Sequence, residues 1–366
     1  MPTFLDLFSG AGGLTLGLSR AGWTPLLGVD HWADAVATYR ANFDDHPALD
    51  VDVADLDARR LAEVLPERPE WIVGGPPCQG FSTIGKRQRE DPRNQLVREF
   101  KRIVDTLRPE GFVIENVLGL KDMRFEQAIQ ALFSESGYTV SFHVLRAADF
   151  GVPQLRRRVL FVGHRDRGPF GGPLPTHAEE EYVTVGEAIG DLPPVGPGET
   201  RTRYDGQPRT EYQRSMRAGS RTLQGHTASN HPAYLVEAIS HIPDGGNRRS
   251  IPDHLQPRSG FHNSYSRLAS WLPAVAVTSN MGKPSASRCI HPFQHRGLTA
   301  REGARLQGFP DTFHFTAGVT SQRLQVANAV PALLAQRIGE AILDEARWSG
   351  TSLPDDALFD LAAAAA

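Results

Sequence analysis

Residues 4–13 read FLDLFSGAGG, a short apolar run that leads into a turn containing three glycines. This pattern predicts a strand, a tight turn and a helix over residues 13–21. Glycines in such a turn let the backbone approach a bound ligand closely. A dinucleotide-binding turn would have a further glycine where this chain has Thr15, so a pyrophosphate cofactor is not favoured. The turn alone leaves two alternatives open, a cofactor loop and a tight turn without a ligand.

The same alternation of apolar runs and helical patterns continues through the first half of the chain. Strands are predicted over residues 4–8, 26–30, 49–53, 71–75, 112–116, 139–145 and 159–163. Helices are predicted over residues 13–21, 33–43, 57–65, 92–107, 125–136 and 333–346. Strands that alternate with helices form a parallel sheet with both faces covered, so the prediction is an α/β, Rossmann-like fold. The last two strands have no helix between them, so we expect them to pair antiparallel.

The composition changes after about residue 165. Residues 166–298 are rich in proline, glycine, arginine and histidine and have weak periodicity, which is typical of a loop-rich second domain. Ordered structure is expected to resume at Leu298, where Thr299 and Glu302 have the spacing of a capping box. We predict a larger domain over residues 1–179 and 320–348, a small domain with a hinge over residues 180–319, and a tail over residues 349–366.

Composition and cysteine count exclude several classes of protein. The chain has 366 residues, of which 40% are hydrophobic and 22% charged, so it has ample apolar material for a core. No apolar run approaches the roughly 18 residues of a membrane span, and no secretory signal precedes the first strand. Two cysteines, Cys78 and Cys289, cannot form a disulfide framework. We expect a cytoplasmic protein.

The net charge of −3 hides an uneven distribution of charge. Residues 30–70 have a net charge of −7, whereas residues 86–108, 146–167 and 200–258 each have a net charge of +4. Phosphate binding needs a local basic surface, not a basic whole protein. The charge pattern therefore allows nucleic-acid binding, and solvated arginine-rich faces are the alternative.

A second motif, GGPPCQGFS over residues 74–82, follows the fourth predicted strand. Open α/β sheets bind their ligands at the carboxyl ends of the strands. Two prolines restrict the backbone before Cys78, and Gly80 after it indicates a loop that can move. A lone cysteine is usually a small buried hydrophobe, but this position favours a nucleophile.

Other polar residues lie at the ends of neighbouring strands. Glu115 closes the fifth strand and can converge with Cys78, because parallel neighbours end at the same edge. A surface carboxylate is the alternative for Glu115. Asp30 ends the second strand, where its carboxylate could accept hydrogen bonds from ribose hydroxyls. Asp52 follows the third strand and could accept from an adenine amino group.

Together these motifs resemble those of the DNA (cytosine-5)-methyltransferase family, in the family's order and over most of the chain. The matching segments are residues 6–13, 75–78, 115–117, 154–158, 301–310 and 328–330. One position departs from the family, which usually has glycine before Asn328, where this chain has Ala327. The resemblance implies a Rossmann-like methyltransferase fold with a small target-recognition domain, and S-adenosylmethionine as the cofactor.

The resemblance also implies roles for single residues. The catalytic residues would be Cys78, Glu115, Arg156 and Arg158, and the cofactor-binding residues would be Phe8, Gly10, Gly12, Asp30, Asp52, Pro77, Asn328 and Val330. Cys78 would add to C6 of cytosine while Glu115 holds a proton at N3. Arg158 would hold the O2 edge of the base, and Arg156 would support Glu115 or the nucleophile loop. A plain basic turn is the alternative for both arginines. No side chain is an obvious base for the C5 proton, so water is the alternative there.

The substrate would be a cytosine flipped out of double-stranded DNA, because stacking covers C6 inside a duplex. Residues 82–93 resemble the family's mobile loop, in which Ser82, Lys86, Arg87 and Arg89 are candidate DNA contacts. Candidate readers in the small domain, where arginine is the commonest reader of guanine, are Arg201, Arg203, Arg209, Arg214, Arg217, Arg221, Asn247, Arg248 and Arg249.

Partners and further groups follow from the same resemblance. We expect a monomer, with a separately acting restriction endonuclease as a candidate partner. Cys289 is expected to be structural. The 13 histidines have no convincing zinc-ligand spacing, so no metal is predicted.

Three alternatives stay open. An RNA cytosine methyltransferase of the same family would act on tRNA, but that branch has a recognition region much shorter than the one here. A catalytically silent DNA-binding relative would have no need of Cys78, Glu115, Arg156 and Arg158 together. A cysteine hydrolase would need a histidine placed by motif to activate Cys78, and the sequence has none.

Overall fold

The computed structural model describes residues 1–77, 95–117, 124–258 and 264–348. The strands of its main sheet are β1 (Thr3–Leu7), β2 (Thr24–Asp30), β3 (Ala48–Asp50), β4 (Trp71–Gly74), β5 (Gly111–Val117), β6 (Thr139–Arg146) and β7 (Arg157–His164). The helices of this part of the chain are α1 (Gly13–Arg20), α2 (Ala33–Asn42), α3 (Ala58–Val64), α4 (Gln95–Leu107) and α5 (Arg124–Ser134).

These strands form one seven-stranded sheet in the order β3-β2-β1-β4-β5-β7-β6. Strands β1 to β5 pair parallel, and β7 pairs antiparallel with both β5 and β6. The α/β prediction and the antiparallel pairing of the last two strands are confirmed. Strand order reverses between β1 and β4, which is the switch point where such sheets bind ligands.

The predicted boundaries differ from the structure mainly at β3. The strand was predicted over residues 49–53 but ends at Asp50, because the Asp52 carboxylate accepts a hydrogen bond from Ala54 N (2.9 Å) and begins a short 3₁₀ turn. Similarly, Asp57 is the N-cap of α3 and lies outside the helix. The first three residues of the predicted helix 92–107 lie outside the described residues.

Two hydrophobic layers cover the sheet. One face packs against α3, α4 and α5 through residues such as Leu61, Phe100 and Phe133. The other face packs against α1 and the last long helix, α11 (Ala332–Leu343). Helix α1 approaches α11 so closely that a Cβ at Gly17 would lie 2.4 Å from Ala332 O, so this position requires glycine.

The segment from residue 180 to residue 331 adds α6 (Val185–Ile189), α7 (Glu211–Arg217), α8 (Ala233–Ser240), β8 (Ser266–Arg267), β9 (Arg288–Ile290), α9 (Ala300–Leu306) and α10 (Val319–Asn328). Its main core joins α6, α9 and α10 through residues such as Ile189, Phe309 and Val326. The predicted capping box is confirmed, because Thr299 and Glu302 exchange hydrogen bonds at the start of α9. Buried ion pairs from Arg305 to Asp311 and Asp191 fix the end of α9.

None of the helices in the described ranges is long and apolar enough to cross a membrane. Within those ranges there is also no group of three or more histidine, cysteine, aspartate or glutamate side chains that could hold a metal ion.

Candidate active site

A cavity of about 470 Å³ lies at the carboxyl edge of the sheet, where β1, β2, β4 and β5 end. It brings together nine residues that the sequence predicted for the site: Phe8, Gly10, Asp30, Pro77, Glu115, Arg156, Arg158, Asn328 and Val330. Residues from both ends of the chain therefore meet at one place, since Asn328 ends α10, Val330 follows it, and the others come from the main sheet and its loops. One cavity of this size can hold a cofactor beside a substrate base.

The loop after β1 forms one wall of the cavity. Phe8 and Gly10 have φ angles of 60° and 53°, so the backbone turns sharply at the end of the strand. The Gly10 amide donates to Asp30 Oδ2 (2.8 Å) and the Trp32 amide to Asp30 Oδ1 (2.9 Å). These bonds fix the Asp30 carboxylate at the cavity, and burial raises its pKa.

Two predicted cofactor residues do not line this cavity. Gly12 is the N-cap of α1 with φ of 94°, and a Cβ there would lie 2.4 Å from the Phe43 ring. Its glycine is therefore explained by backbone conformation and packing. Asp52 is exposed, and its side chain caps the 3₁₀ turn after β3.

The opposite wall carries an ion pair between Glu115 and Arg158. Arg158 Nε lies 2.6 Å from Glu115 Oε1, and each side chain is only 11% exposed. The antiparallel register of β5 and β7 creates this pair, because Val117 lies opposite Arg158. Burial raises the pKa of Glu115 above the usual carboxyl range, while the Arg158 guanidinium lowers it in part. The pair can hold a proton near a bound base.

Arg156 differs from the expectation that it supports Glu115. Its guanidinium donates to Val277 O (3.2 Å) and Ala327 O (3.0 Å). Both carbonyls belong to segments that pack in the hydrophobic core around α6, α9 and α10. Arg156 therefore joins the residues just before β7 to α10 and to the segment around Val277. The predicted nucleophile loop, the other candidate partner of Arg156, lies outside the described residues from Cys78 onward.

We expect Arg156→Ala to lower the free energy of unfolding by about 2–4 kcal/mol, since two buried carbonyls lose a charged donor. Chemical denaturation followed by circular dichroism measures this change. Arg59→Ala is the matched control, because Arg59 is exposed on α3 with one surface ion pair to Glu63 and should cost less than about 0.5 kcal/mol. Equal small losses for both variants would contradict the structural role of Arg156.

Trp32 and Asn116 also belong to this site, although the sequence did not single them out. Trp32 lines the cavity directly after Asp30, and its place behind a strand-end acid was the available signal. Asn116 Nδ2 donates to Pro76 O (2.8 Å), which anchors the segment that leads into Cys78. Its neighbour Glu115 was singled out, but nothing in the sequence indicates which carbonyl Asn116 binds.

Comparison with known proteins identifies the family. A family model described as C-5 cytosine-specific DNA methylase matches residues 2–344. This chain belongs to the C-5 cytosine-specific DNA methylase family. The chain is therefore a DNA methyltransferase that acts on C5 of cytosine, as the sequence predicted, and the tRNA enzyme and the hydrolase are not favoured.

Relatives of the methyltransferase agree over nearly the whole chain. It is 43% identical to the Type II methyltransferase M1.HphI of Haemophilus parahaemolyticus, over 93% of this chain and 86% of the relative. It is 37% identical to M.DdeI of Desulfomicrobium norvegicum, over 92% and 88%. A prophage-encoded E. coli structure described as a DNA modification methyltransferase has a TM-score of 0.78 at 25% identity, over 93% of this chain and 98% of that one.

The arginines that the methyltransferase was predicted to use for DNA differ in their surroundings. Arg217 is held by Asp191 (3.3 Å) and stacks over the Tyr204 ring at 3.8 Å, so its guanidinium packs against neighbouring side chains here, and its role in reading DNA stays a prediction. Arg249 is exposed, whereas Arg248 donates to Pro257 O (3.1 Å). Arg249 is thus the better placed of the predicted pair to reach DNA.

The other candidate DNA readers differ in their contacts. Arg203, Arg209 and Arg221 are exposed. Arg201 pairs with Glu199 (3.3 Å), Arg214 donates to Arg209 O (3.3 Å), and the Asn247 side chain accepts from Arg249 N (3.0 Å). Cys289 is buried with its Sγ 3.6 Å from Asn280 O, and burial raises its pKa to about 11, which fits a structural role. Cys78, Ser82, Lys86, Arg87 and Arg89 lie outside the described residues.

Proposed function

We propose that the enzyme methylates a cytosine that is flipped out of a specific duplex sequence, through a covalent bond between Cys78 and C6. The observation that carries this proposal is the buried Glu115–Arg158 pair, which shares one cavity with the glycine loop after β1. A carboxyl group with a raised pKa can protonate one atom of the base, and the guanidinium beside it can bind the adjacent carbonyl oxygen.

We propose S-adenosylmethionine as the methyl donor, and the residues of the cavity fit it. The Phe8 ring offers an apolar surface, and no atom lies within 4 Å of a Cβ position at Gly10, so the backbone there is open to a ligand. The Asp30 carboxylate can accept from ribose hydroxyls, and Asn328 and Val330 would hold the ligand from the other wall. When bound, S-adenosylmethionine supplies the sulfonium methyl group that cytosine C5 accepts.

The protein's own groups would act on the base in a fixed order. The Cys78 thiolate adds to C6, which makes C5 nucleophilic. Negative charge develops on N3 during this addition, and Glu115 donates a proton to it. Arg158 binds O2 of the base. After transfer, removal of the C5 proton lets the Cys78 sulfur leave as a thiolate, and N3 returns its proton to Glu115. No described side chain is assigned to that removal, so water is our proposal for the base.

We propose that residues 82–93 close over the flipped base and contact phosphates. The double variant Lys86→Ala and Arg87→Ala should weaken binding to duplex DNA by about tenfold to a hundredfold at 0.1 M salt. The slope of log affinity against log salt concentration should fall by about two, because about two fewer counterions are released on binding. Fluorescence anisotropy at several salt concentrations measures both. Arg59→Ala, an exposed arginine of α3, is the control. Unchanged affinity and salt slope would contradict the loop's role.

We also propose that residues 180–319 form the target-recognition domain. The exposed arginines of this region support the proposal, because phosphate and guanine contacts both need free guanidinium groups. We further propose a cytoplasmic monomer with a separate restriction endonuclease as partner. The relatives M1.HphI and M.DdeI are named as Type II methyltransferases, which supports an enzyme of a restriction system.

Bisulfite sequencing of DNA from cells that express the enzyme tests the proposed function. We expect complete protection of cytosines in one short sequence and none in cells that express Cys78→Ser. The same experiment identifies the target sequence. Protection with the variant, or no protection with the wild-type enzyme in any sequence context, would contradict the proposal.

A further inference from the structure

The mechanism above gives no role to Asp6, although its side chain lines the same cavity and is completely buried. Its Oδ2 is bonded to the Thr15 hydroxyl (2.6 Å). Its Oδ1 is also buried, and none of the described residues donates a hydrogen bond to it. A buried carboxylate with an unsatisfied oxygen is costly when ionised, so such a group is either neutral or matched by a cation.

A chain of hydrogen bonds leads from Asp6 to the protein surface. Thr15 Oγ1 lies 3.0 Å from the Tyr39 hydroxyl, which lies 2.8 Å from His46 Nε2. His46 Nδ1 lies 2.8 Å from the carboxylate of Asp45, which is 82% exposed. Thr15 and Tyr39 are completely buried, so bulk solvent does not reach either hydroxyl.

Each hydroxyl has one proton to donate, so the chain has two complete arrangements. In the first, a protonated Asp6 donates to Thr15, Thr15 to Tyr39, and Tyr39 to Nε2 of a neutral His46. In the second, an imidazolium His46 donates to Tyr39, Tyr39 to Thr15, and Thr15 to an ionised Asp6. In both arrangements His46 Nδ1 donates to Asp45. The two differ by one proton shifted within each of three hydrogen bonds, and no proton enters or leaves the protein.

We propose that this series of hydrogen bonds, from Asp6 to His46, is a proton relay that ionises Asp6 when a cationic group occupies the cofactor cavity. The proposal rests on the proposed function, since S-adenosylmethionine carries two cationic groups, a sulfonium and an α-ammonium. Binding of either charge near Asp6 favours the second arrangement. The positive charge that leaves the Asp6 end is then held by the His46 ring, whose side chain is only 3% exposed and is paired with the exposed Asp45 carboxylate.

The electrostatics of the site are suited to such a switch. Burial raises the pKa of Asp6 to about 7, and the neighbouring Asp30 carboxylate raises it further, while the bond from Thr15 lowers it. The strands on either side of β1 place Gly28 and Val73 opposite Asp6, and neither is charged. The pKa of Asp6 is therefore close to neutral pH, and a modest interaction with a bound cation can decide whether its carboxyl group is ionised.

The charge of Asp6 is tested by calorimetric binding to the wild-type enzyme and to Asp6→Asn, which keeps an oxygen for Thr15. Three ligands are compared: S-adenosylmethionine with both charges, S-adenosylhomocysteine with the ammonium only, and 5′-methylthioadenosine with neither. We expect the variant to bind S-adenosylmethionine at least about tenfold more weakly and 5′-methylthioadenosine unchanged. An equal loss for S-adenosylhomocysteine assigns the effect to the ammonium, and no loss assigns it to the sulfonium.

Two outcomes of this experiment would overturn the role of Asp6, namely equal losses for all three ligands and no loss for any of them. If the wild-type enzyme binds none of the ligands, the proposed cofactor is wrong and the relay falls with it. Folding is checked separately. Because the pKa of Asp6 rises from 3.8 to about 7 on folding, wild-type stability from this group is present below pH 3.8 and is lost as the pH rises towards 7. Asp6→Asn should therefore be at least as stable as the wild type at pH 8.

The relay itself is tested by ¹⁵N nuclear magnetic resonance of the His46 ring. On addition of S-adenosylmethionine at pH 7, we expect Nε2 of His46 to gain a proton in the wild-type enzyme. Tyr39→Phe removes the central hydroxyl and should abolish this change, while the exposed His254 serves as an internal control in both proteins. An unchanged His46 spectrum in the wild type, or the same change in Tyr39→Phe, would overturn the relay.

Discussion

Replacing Cys78 with serine is expected to abolish methyl transfer to DNA while leaving the fold and cofactor binding intact. The proposed reaction needs a thiolate, and a serine hydroxyl is far less acidic and has no base placed beside it by any motif. Loss of the nucleophile in a covalent mechanism costs about 10⁴-fold or more in turnover. Transfer of a radiolabelled methyl group from S-adenosylmethionine to duplex DNA measures the loss.

Cys289 provides the matched control for this substitution. It is the second cysteine of the chain, it is buried in the small-domain core, and burial keeps its thiol protonated. Cys289→Ser should therefore keep its turnover within a fewfold of the wild type and lose only stability. Comparable turnover of the Cys78→Ser enzyme and the wild type would contradict covalent catalysis by Cys78.

Replacing Glu115 with glutamine is expected to reduce turnover by about 10²- to 10⁴-fold, the range for loss of a general acid. Glutamine keeps the size of the side chain but cannot transfer a proton to N3. Its amide also leaves the buried Arg158 guanidinium without its carboxylate partner. Glu63→Gln, on the exposed surface of α3, is the control and should keep full turnover. Single-turnover kinetics at saturating DNA separate this loss from any change in binding.

The pH dependence of turnover gives a second test of Glu115. Because burial raises its pKa, Glu115 stays protonated at higher pH than an ordinary carboxyl group. Wild-type turnover should therefore fall as the pH rises through that pKa, while ionisation of the Cys78 thiol acts in the opposite direction. The Glu115→Gln enzyme should lack the falling limb. A falling limb that is identical in both enzymes would assign it to another group.

Much of the fold could be predicted because its signals are local. The predicted run 71–75 is one residue longer than β4, and the predicted run 112–116 is one residue shorter than β5 at each end. Both strands are buried between turn residues, apart from the exposed Val117 at the end of β5. The capping box at Thr299 was likewise found from two residues three positions apart. Strand ends in a parallel sheet also place Glu115 in the same cavity as the loop after β1 without any further information.

The partners of buried polar side chains could not be predicted in the same way. Arg156 and Arg217 look like their exposed neighbours in the sequence, but one binds carbonyls of segments 121 and 171 residues away and the other binds Asp191. Tyr39 and His46 join Asp6 only because α2 packs beside β2 and α1. Such contacts depend on the tertiary arrangement, which has no local pattern in the chain.

The central claim is that Cys78 and Glu115 act on the two sides of one extruded cytosine. Duplex DNA with 5-fluorocytosine at the target position tests it most directly, because fluorine at C5 prevents release of the enzyme after methyl transfer. In the presence of S-adenosylmethionine, we predict a stable one-to-one adduct whose only cross-linked peptide contains Cys78. The Glu115→Gln enzyme should form this adduct far more slowly. Absence of an adduct, or a cross-link to any residue other than Cys78, would contradict the mechanism.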